Sequence, residues 1–372
     1  MTAVGLIVNP CAGIGGEVGL HGSDGPVLQT EARRRGALAR ASARAEVALR
    51  RLLMHGGSHL VTVSGEMGEM AARRSDVIPH LVDYVPGTRT TARDTIFAAR
   101  ALREAGVDLL MFVGGDGTAR DVVEAVGQGI PTLGVPAGVK VYSACYAITP
   151  AAAGDIAHTF LADARRPTSL REVIDIEIDG GSVGRPRPRL FGVLVVAEGC
   201  DRLQARKLAA PPSGLEAVGL VASAVISNIE RGVRYVLGPG GTTAAISTAL
   251  GCRSTLLGVD VVQDGCLLKS DVSERELFAL VDGHPTVVIV AVIGGQGFVF
   301  GRGNQQISAR VLRAVGRENI WLVADERKLS ELVGMPLLID TGDDEVDDLL
   351  AGPVRVLTGP LSTWMSRIAS YD

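Results

Sequence analysis

The sequence predicts an α/β protein with two domains, a doubly wound parallel sheet in residues 1–165 and a β-rich domain in residues 166–372. Short apolar runs alternate with helical periodicity through the first domain. The chain has 47 glycines among 372 residues, which fits many strand-to-helix turns. After Arg165-Arg166-Pro167 the pattern changes to strand-like alternation. The first domain is therefore predicted to be Rossmann-like, with ligands bound at the carboxyl ends of its strands.

The predicted strands of the first domain are short apolar runs of the kind that is buried in a parallel sheet. They cover residues 3–8, 59–63, 80–85, 108–113 and 131–135. Helical periodicity predicts helices at 31–54, 91–105, 119–127 and 150–164. The many arginines of the first helix are interpreted as a solvated face.

The second domain begins with period-two alternation over 172–179, a hairpin signal at Gly180-Gly181 and a strand at 190–197. Further strands are predicted near 233–237, 255–262 and 286–293, with a helix near 216–231. The tail returns to α/β alternation, with helices at 305–316, 325–333 and 343–350 and strands at 319–324, 336–339 and 353–357. The sequence leaves open whether this tail packs on the first domain or extends the second.

Composition narrows the class of protein. A net charge of −4 and a pI near 5.9 argue against non-specific nucleic-acid binding. No apolar run approaches the length that crosses a membrane. The 5 cysteines have neither metal-ligand nor redox spacing. We expect a cytoplasmic homo-oligomer with reduced thiols that acts on small molecules, and neither a nucleic-acid nor a membrane partner.

The turn Gly114-Gly115-Asp116-Gly117-Thr118 lies between the strand at 108–113 and the helix at 119–127. Its glycines let the backbone approach an anion, and the helix start adds free N–H groups and a favourable dipole. A carboxylate inside such a turn repels phosphate, so anion binding alone does not explain Asp116. We predict that Asp116 accepts a hydroxyl proton or holds a cation beside phosphate. The alternative is a simple turn residue.

A second glycine turn follows the first strand, with Asn9 at its start and Gly13, Gly15 and Gly16 within it. The spacing is not the dinucleotide fingerprint. We predict an anion site that opens onto the same sheet edge as Asp116, the alternative being a tight turn. After the strand at 131–135, Lys140 is predicted to offer a cation near these turns, unless it is a surface lysine.

The second domain carries polar glycine turns of its own. Gly240, Thr242 and Thr243 follow the strand at 233–237, and their hydroxyls either bind phosphate or ribose or cap the following helix. The stretch 294–306 adds Arg302 and Asn304 as possible ligand contacts. The acidic cluster at 340–348 is interpreted as a helix start, because negative charge suits that end of the dipole. No metal ligands are identified.

These motifs together resemble the ATP-NAD kinase family, and specifically its acetoin-catabolism-protein-X-like branch. The resemblance rests on residues 5–25, 111–118, 134–149 and 294–307, and the segment 238–244 is similar to the Thr-Gly-Ser-Thr-Ala segment of that family's β-domain. The Asp116 turn is also similar to that of the wider superfamily with diacylglycerol and sphingosine kinases. The chain departs from the family at 136–140, where an Asn-Leu-Gly pattern is usual, and it lacks the family's Asn-Glu pair; Ala197-Glu198 lies near the expected place.

The resemblance implies transfer of a phosphoryl group from ATP or polyphosphate to the 2′-hydroxyl of NAD, with Mg²⁺ or another divalent cation. Asp116 would be the base. Asn9, Gly115, Asp116, Lys140 and Thr242 are predicted to face one cleft between the domains. Two rival hypotheses remain: a kinase of another hydroxyl substrate, such as a lipid, and a non-catalytic nucleotide-binding regulatory protein.

Overall fold

The computed structural model describes residues 2–20, 25–54, 58–87, 89–137, 141–178, 186–199 and 215–370. The chain separates into two compact units, the first of residues 1–14, 23–29 and 38–206 and the second of residues 15–22, 30–37 and 207–372. The predicted fold class, a Rossmann-like sheet followed by a sheet-rich second domain, is confirmed. The units differ from the division at 165/166, because the chain from 166 to 206 stays with the first unit.

The first unit contains a mostly parallel sheet. Its strands are β1 (Thr2–Val8), β2 (Ser58–Thr62), β3 (His80–Leu81), β4 (Leu109–Gly114), β5 (Thr132–Pro136), β6 (Thr168–Ile178) and β7 (Pro186–Ala197). They lie in the order β3-β2-β1-β4-β5-β7-β6, with β1 to β5 parallel. The order reverses between β1 and β4. Ligands of doubly wound sheets bind at the carboxyl ends of the strands at such a switch point.

The helices of this part of the chain are α1 (Pro26–Arg34), α2 (Ala41–Leu53), α3 (Glu69–Arg74), α4 (Ala92–Glu104), α5 (Asp116–Val126) and α6 (Pro150–Ala162). Helix α2 packs on α6, and α4 packs on α5. The prediction of one helix over 31–54 is wrong. Gly36 has φ +85, and the amides of Gly36 and Ala37 donate to Arg33 and Ala32, a Schellman ending that stops α1.

The hairpin of β6 and β7 explains why the first unit extends past residue 166. The antiparallel pair was predicted, but as the start of the second domain. Strand β7 pairs with β5 at Thr132, and the Thr132 hydroxyl donates to the carbonyl of Val195 at 2.9 Å. The hairpin therefore widens the first sheet. The predicted turn at Gly180-Gly181 lies outside the described residues.

The second unit is built on one large sheet. Its strands are β8 (Arg234–Leu237), β9 (Asp260–Gln263), β10 (Cys266–Lys269), β11 (Thr286–Ala291), β12 (Phe298–Phe300), β13 (Ile320–Val323), β14 (Leu337–Ile339), β15 (Gly352–Gly359) and β16 (Ser362–Ser370), in the order β10-β9-β8-β11-β13-β15-β16-β14-β12. The described helices are α7 (Leu215–Ile226), α8 (Gly241–Ala249), α9 (Glu274–Val281), α10 (Ala309–Val315), α11 (Glu326–Ser330) and α12 (Asp344–Leu350). Strands β13 to β16 come from the tail, so the tail extends the second unit. Within the ranges given above, no helix is long and apolar enough to cross a membrane.

Candidate functional site

Two of the predicted glycine turns meet at the switch point of the first sheet. Asn9 directly follows β1, and its backbone amide donates to the carbonyl of Val113 in β4 at 3.0 Å. The Asn9 side chain donates from Nδ2 to Oγ1 of Thr118 at 2.9 Å and accepts from the amide of Cys11 at 3.1 Å. Asn9 therefore ties the turn after β1 to the turn after β4, as the sheet topology requires of residues at neighbouring strand ends.

Helix α5 begins at Asp116, three residues earlier than predicted, with Gly115 as its N-cap. A carboxylate in the first turn is favoured by the helix dipole. Gly114 allows the turn to be this tight, because a Cβ atom there would lie 2.3 Å from Oγ1 of Thr118. Gly117 lies within the first helical turn. The order of strand, glycine turn and helix is thus as predicted, but the helix starts at Asp116 itself and not at residue 119.

The Asp116 carboxylate is held by the segment that follows β5. Its Oδ2 accepts from the amide of Tyr142 at 2.7 Å, and its Oδ1 accepts from the amide and the hydroxyl of Ser143 at 3.0 and 2.5 Å. The residue is only 7% exposed. An ionised carboxylate offers about four lone-pair positions. These bonds fill both positions of Oδ1 and one of Oδ2, so the remaining lone-pair position is on Oδ2.

Burial raises the pKa of Asp116 to about 7. The bonds from the Ser143 hydroxyl and from the Tyr142 and Ser143 amides lower this pKa, and the nearby charge of Asp175 raises it further. A carboxyl group with a pKa near neutrality can both accept and release a proton under ordinary conditions. Asp116 therefore has the protonation behaviour that a general base needs.

Tyr146 supports the backbone of the Asp116 turn from beneath. Its hydroxyl donates to the carbonyl of Gly115 at 2.5 Å, and its ring contacts Phe112 edge-on with centroids 5.4 Å apart. A Cβ atom on Gly134 would lie 2.5 Å from this ring. Burial raises the pKa of the Tyr146 hydroxyl well above its usual value, so the group stays a hydrogen-bond donor.

The turn after β1 does not remain in one unit. Gly13, with φ +76, belongs to the first unit, whereas Gly15 and Gly16 belong to the second. A Cβ atom on Gly16 would lie 2.7 Å from Oε1 of Gln305, and the carbonyl of Glu17 accepts from the amide of Glu274 at 2.7 Å. Close packing within the second unit therefore accounts for Gly16, which was predicted to open onto the edge that carries Asp116.

The second unit contains the predicted turn before α8, capped by Gly240 with φ +138. The Thr243 hydroxyl donates back to the Gly240 carbonyl at 2.9 Å, which fits the helix-start alternative. The Thr242 hydroxyl accepts from Nζ of Lys328 at 3.1 Å, and Nζ also lies 3.5 Å from Asp325. The unit thus places a cation at this helix start, where an anion is favoured. The other predicted cation, Lys140, lies outside the described residues.

Comparison with known proteins decides the family. The model of the ATP-NAD kinase N-terminal domain matches residues 4–164, and that of the ATP-NAD kinase C-terminal domain matches residues 230–367. The chain belongs to the ATP-NAD kinase family. It is therefore a nucleotide-utilising phosphotransferase with a hydroxyl group as acceptor. No curated protein and no solved structure was found to match, and membership of the acetoin-catabolism-protein-X-like branch stays a prediction.

Arg302 and Asn304 of this kinase form structural contacts. The Arg302 side chain is completely buried, lies 3.3 Å from Asp340 and stacks over the Phe298 ring at 4.9 Å. Asn304 donates to the carbonyl of Val299 at 2.8 Å and accepts from the amide of Gly301 at 3.1 Å. These contacts shape the loop after β12 and favour a structural role over ligand contact.

The divalent cation that the family uses has no prebuilt cage in the part of the chain that the structure describes. No group of three or more histidine, cysteine, aspartate or glutamate side chains there could hold a metal ion. Mg²⁺ in nucleotide enzymes takes phosphate oxygens and waters as most of its ligands. In a kinase the phosphate donor supplies those oxygen ligands, so the ion needs few ligands from the protein. We assign no residue to it. Asp343 caps α12, as the helix-start interpretation of the acidic cluster requires.

Sequence reasoning missed three polar residues that contact these turns: Tyr142, Ser143 and Lys328. Tyr142 and Ser143 follow the Lys140 segment, and the signal for Ser143 was a hydroxyl inside an otherwise apolar run. Lys328 carried no signal beyond its place after a strand. Position along the chain indicates an edge of a sheet, but not which side chains turn towards each other.

Proposed function

We propose that this kinase phosphorylates the 2′-hydroxyl of the adenosine ribose of NAD to give NADP, with ATP or polyphosphate as the donor. The observation that carries the proposal is the Asp116 carboxylate, which keeps one lone-pair position on Oδ2 and has a pKa of about 7. In the proposed reaction Oδ2 takes the proton of the attacking hydroxyl. The hydroxyl oxygen forms a bond to the terminal phosphorus while the bond to the leaving phosphate breaks.

The rest of the switch-point turn would bind the anionic donor. Free amides at the start of α5 suit phosphate oxygens, and the bond between Asn9 and Thr118 fixes the two turns against each other. Thr242 and Lys328 of the second unit are further proposed contacts for phosphate or ribose. The shared cleft, the homo-oligomer and the cytoplasmic location stay predictions.

An acceptor panel tests the proposal directly. We expect phosphate transfer to NAD when ATP or polyphosphate is supplied with Mg²⁺, and no transfer to diacylglycerol in mixed micelles. Formation of NADP is followed with an NADP-specific dehydrogenase. Transfer to the lipid alone would establish the first rival. If neither ATP nor polyphosphate gives transfer to NAD or to the lipid, the second rival, a non-catalytic nucleotide-binding protein, is supported.

The pH dependence of the reaction should show the ionisation of Asp116. Only the ionised carboxylate accepts a proton, so we expect kcat/KM to fall about tenfold for each pH unit below about 7 and to level off above it. The measurement is kcat/KM for NAD between pH 5 and pH 9 in a buffer of constant ionic strength. A flat profile through pH 7 would contradict the assignment of Asp116 as the base.

A further inference from the structure

The hydroxyl of Ser143 occupies an unusual position beside the carboxylate that the proposed function uses. Ser143 is completely buried. Its Oγ lies 2.5 Å from Oδ1 of Asp116 and accepts from the backbone amide of Ile174 in β6 at 3.0 Å. The same Oγ lies 3.0 Å from the carbonyl oxygen of Ile174. The hydroxyl has one proton, and two acceptors compete for it.

The ionisation of Asp116 decides between those acceptors. When the carboxylate is charged, the proton of Ser143 goes to Oδ1, because a hydrogen bond to an ionised acceptor is shorter and about twice as strong as a neutral one. When the carboxyl group is neutral, that advantage is lost and the Ile174 carbonyl becomes the competing acceptor. The Ser143 hydroxyl therefore favours the charged form of Asp116 and stabilises the neutral form less.

We propose that Ser143 is the positioning residue of this kinase. Its hydroxyl donates to Oδ1 and so holds Asp116 in the charged form, which accepts a proton on Oδ2. The inference rests on the proposed function, because it assigns a role in the same proton transfer. Neither the family models nor the sequence motifs assign a role to Ser143.

Other charged and titratable groups surround the carboxyl group and act with or against Ser143. Asp175 on β6 raises the pKa of Asp116 by its charge, and Arg120 lies 3.4 Å from Asp175 and offsets part of that charge. Burial raises the pKa of Tyr142 to about 12 and raises the pKa values of Cys145 and Tyr146 well above their usual values, so these three groups after β5 stay protonated. Asp121 on α5 is a further buried carboxyl group. Ser143 differs from these groups, because its side chain donates a hydrogen bond to Asp116.

The test is the pH profile of Ser143→Ala. Removing the hydroxyl takes one hydrogen bond from the charged form, so the acidic limb of kcat/KM should move up by about one pH unit. At a pH below the limb, activity should fall about tenfold more than it falls on the alkaline plateau. Ser143→Thr keeps an Oγ atom and should return the limb towards its original place.

Thr132→Val is the matched control. Thr132, on β5 of the first sheet, is also completely buried, and its hydroxyl donates to a backbone carbonyl and not to Asp116. Its removal should leave the position of the limb unchanged. An equal loss of Ser143→Ala activity at every pH, or an unmoved limb in a variant that melts as a folded protein, would show that Ser143 is only structural and would overturn the proposal.

A direct titration keeps this inference separate from the proposed function. Carbon-13 NMR of protein labelled at the aspartate carboxyl carbon follows the Asp116 ionisation without any substrate, with Asp116→Asn identifying the signal. Ser143→Ala should move that midpoint up by about one pH unit, a tenfold change in the ionisation constant. If the wild type fails to phosphorylate NAD but the midpoint moves, the reaction is wrong and the Ser143 assignment holds. An unmoved midpoint overturns the assignment whatever the reaction.

Discussion

Asp116→Asn is expected to lower the rate of phosphoryl transfer by about 10²–10⁴-fold, the usual loss when a general base is removed. An amide cannot accept the hydroxyl proton, yet it has nearly the shape of the carboxylate and keeps an oxygen for the bonds from Ser143. The binding of donor and acceptor should therefore change little. The measurement is kcat at saturating NAD, with nucleotide binding followed by calorimetry. Turnover at the wild-type rate would refute the base assignment.

The stability of the same variant controls for misfolding. The pKa of Asp116 is raised from 3.8 to about 7 in the folded state, so the folded protein binds more protons than the unfolded chain between those values. The stability that this group contributes is complete below about pH 4 and is lost as the pH rises through 7, on the order of 4 kcal/mol. The asparagine variant avoids that loss. Its Nδ2 and the Tyr142 amide are both hydrogen-bond donors, so the bond between them is lost at a cost of about 1–3 kcal/mol.

Removal of the buried charge stabilises the variant, and the lost hydrogen bond to the Tyr142 amide destabilises it. The first effect is the larger. At pH 8 the melting temperature of Asp116→Asn should therefore be no lower than that of the wild type. At pH 5, where the wild-type carboxyl group is protonated, the variant should be the less stable protein. Loss of activity at pH 8 together with a wild-type melting temperature assigns the effect to chemistry. A large drop in the melting temperature of Asp116→Asn at pH 8 would contradict the claim that the buried charge of Asp116 destabilises the wild type.

The Asp116 turn was predictable because its elements depend on local sequence. An apolar run, two glycines and an apolar helical repeat predict the end of β4 and the start of α5, and the order of such elements places Asn9 and Asp116 at one sheet edge. The helix was predicted to start at residue 119, and in the structure it starts at Asp116. That shift matters, because it places the carboxylate within the first helical turn.

The parts that were not predictable depend on contacts between distant segments. The hairpin of β6 and β7 alternates like the start of a β-rich domain, and only its pairing at Thr132 assigns it to the first sheet. Gly16 resembles a phosphate turn by sequence, whereas its contact with Gln305 lies far along the chain. The role of Ser143 was not predictable either, because it depends on a contact with the distant Asp116. A serine in an apolar run becomes informative only when its buried partner is known.

Among the described glycines of the second unit, Gly301 is the one where an added methyl group should be most damaging. It has φ +84, and a Cβ atom there would lie 1.8 Å from the carbonyl oxygen of Asp340. Backbone cannot rotate away as a flexible side chain can, so β12 and β14 would have to separate. Asp340 is also the partner of the buried Arg302 at 3.3 Å. Moving it leaves a guanidinium poorly compensated in the core, which is costly.

Gly334→Ala separates the two causes of that damage. Gly334 has φ +83, almost the same backbone conformation, and nothing lies within 4 Å of a Cβ atom there. Its variant should lose about 1–2 kcal/mol of unfolding free energy, the cost of a left-handed L-residue. Gly301→Ala should lose that amount and about 1–3 kcal/mol more from the forced contact with Asp340.

Urea unfolding followed by tryptophan fluorescence measures this difference with probes that lie in the second unit. The chain has 2 tryptophans, Trp321 on β13 and Trp364 on β16, and both belong to the second unit. Their fluorescence therefore reports the sheet that contains β12 and β14. Equal losses in Gly301→Ala and Gly334→Ala would mean that the Asp340 backbone yields freely to a methyl group. A larger loss in Gly301→Ala is expected, because the pairing of the two strands, Phe298 with Leu338 and Phe300 with Ile339, ends directly before that contact.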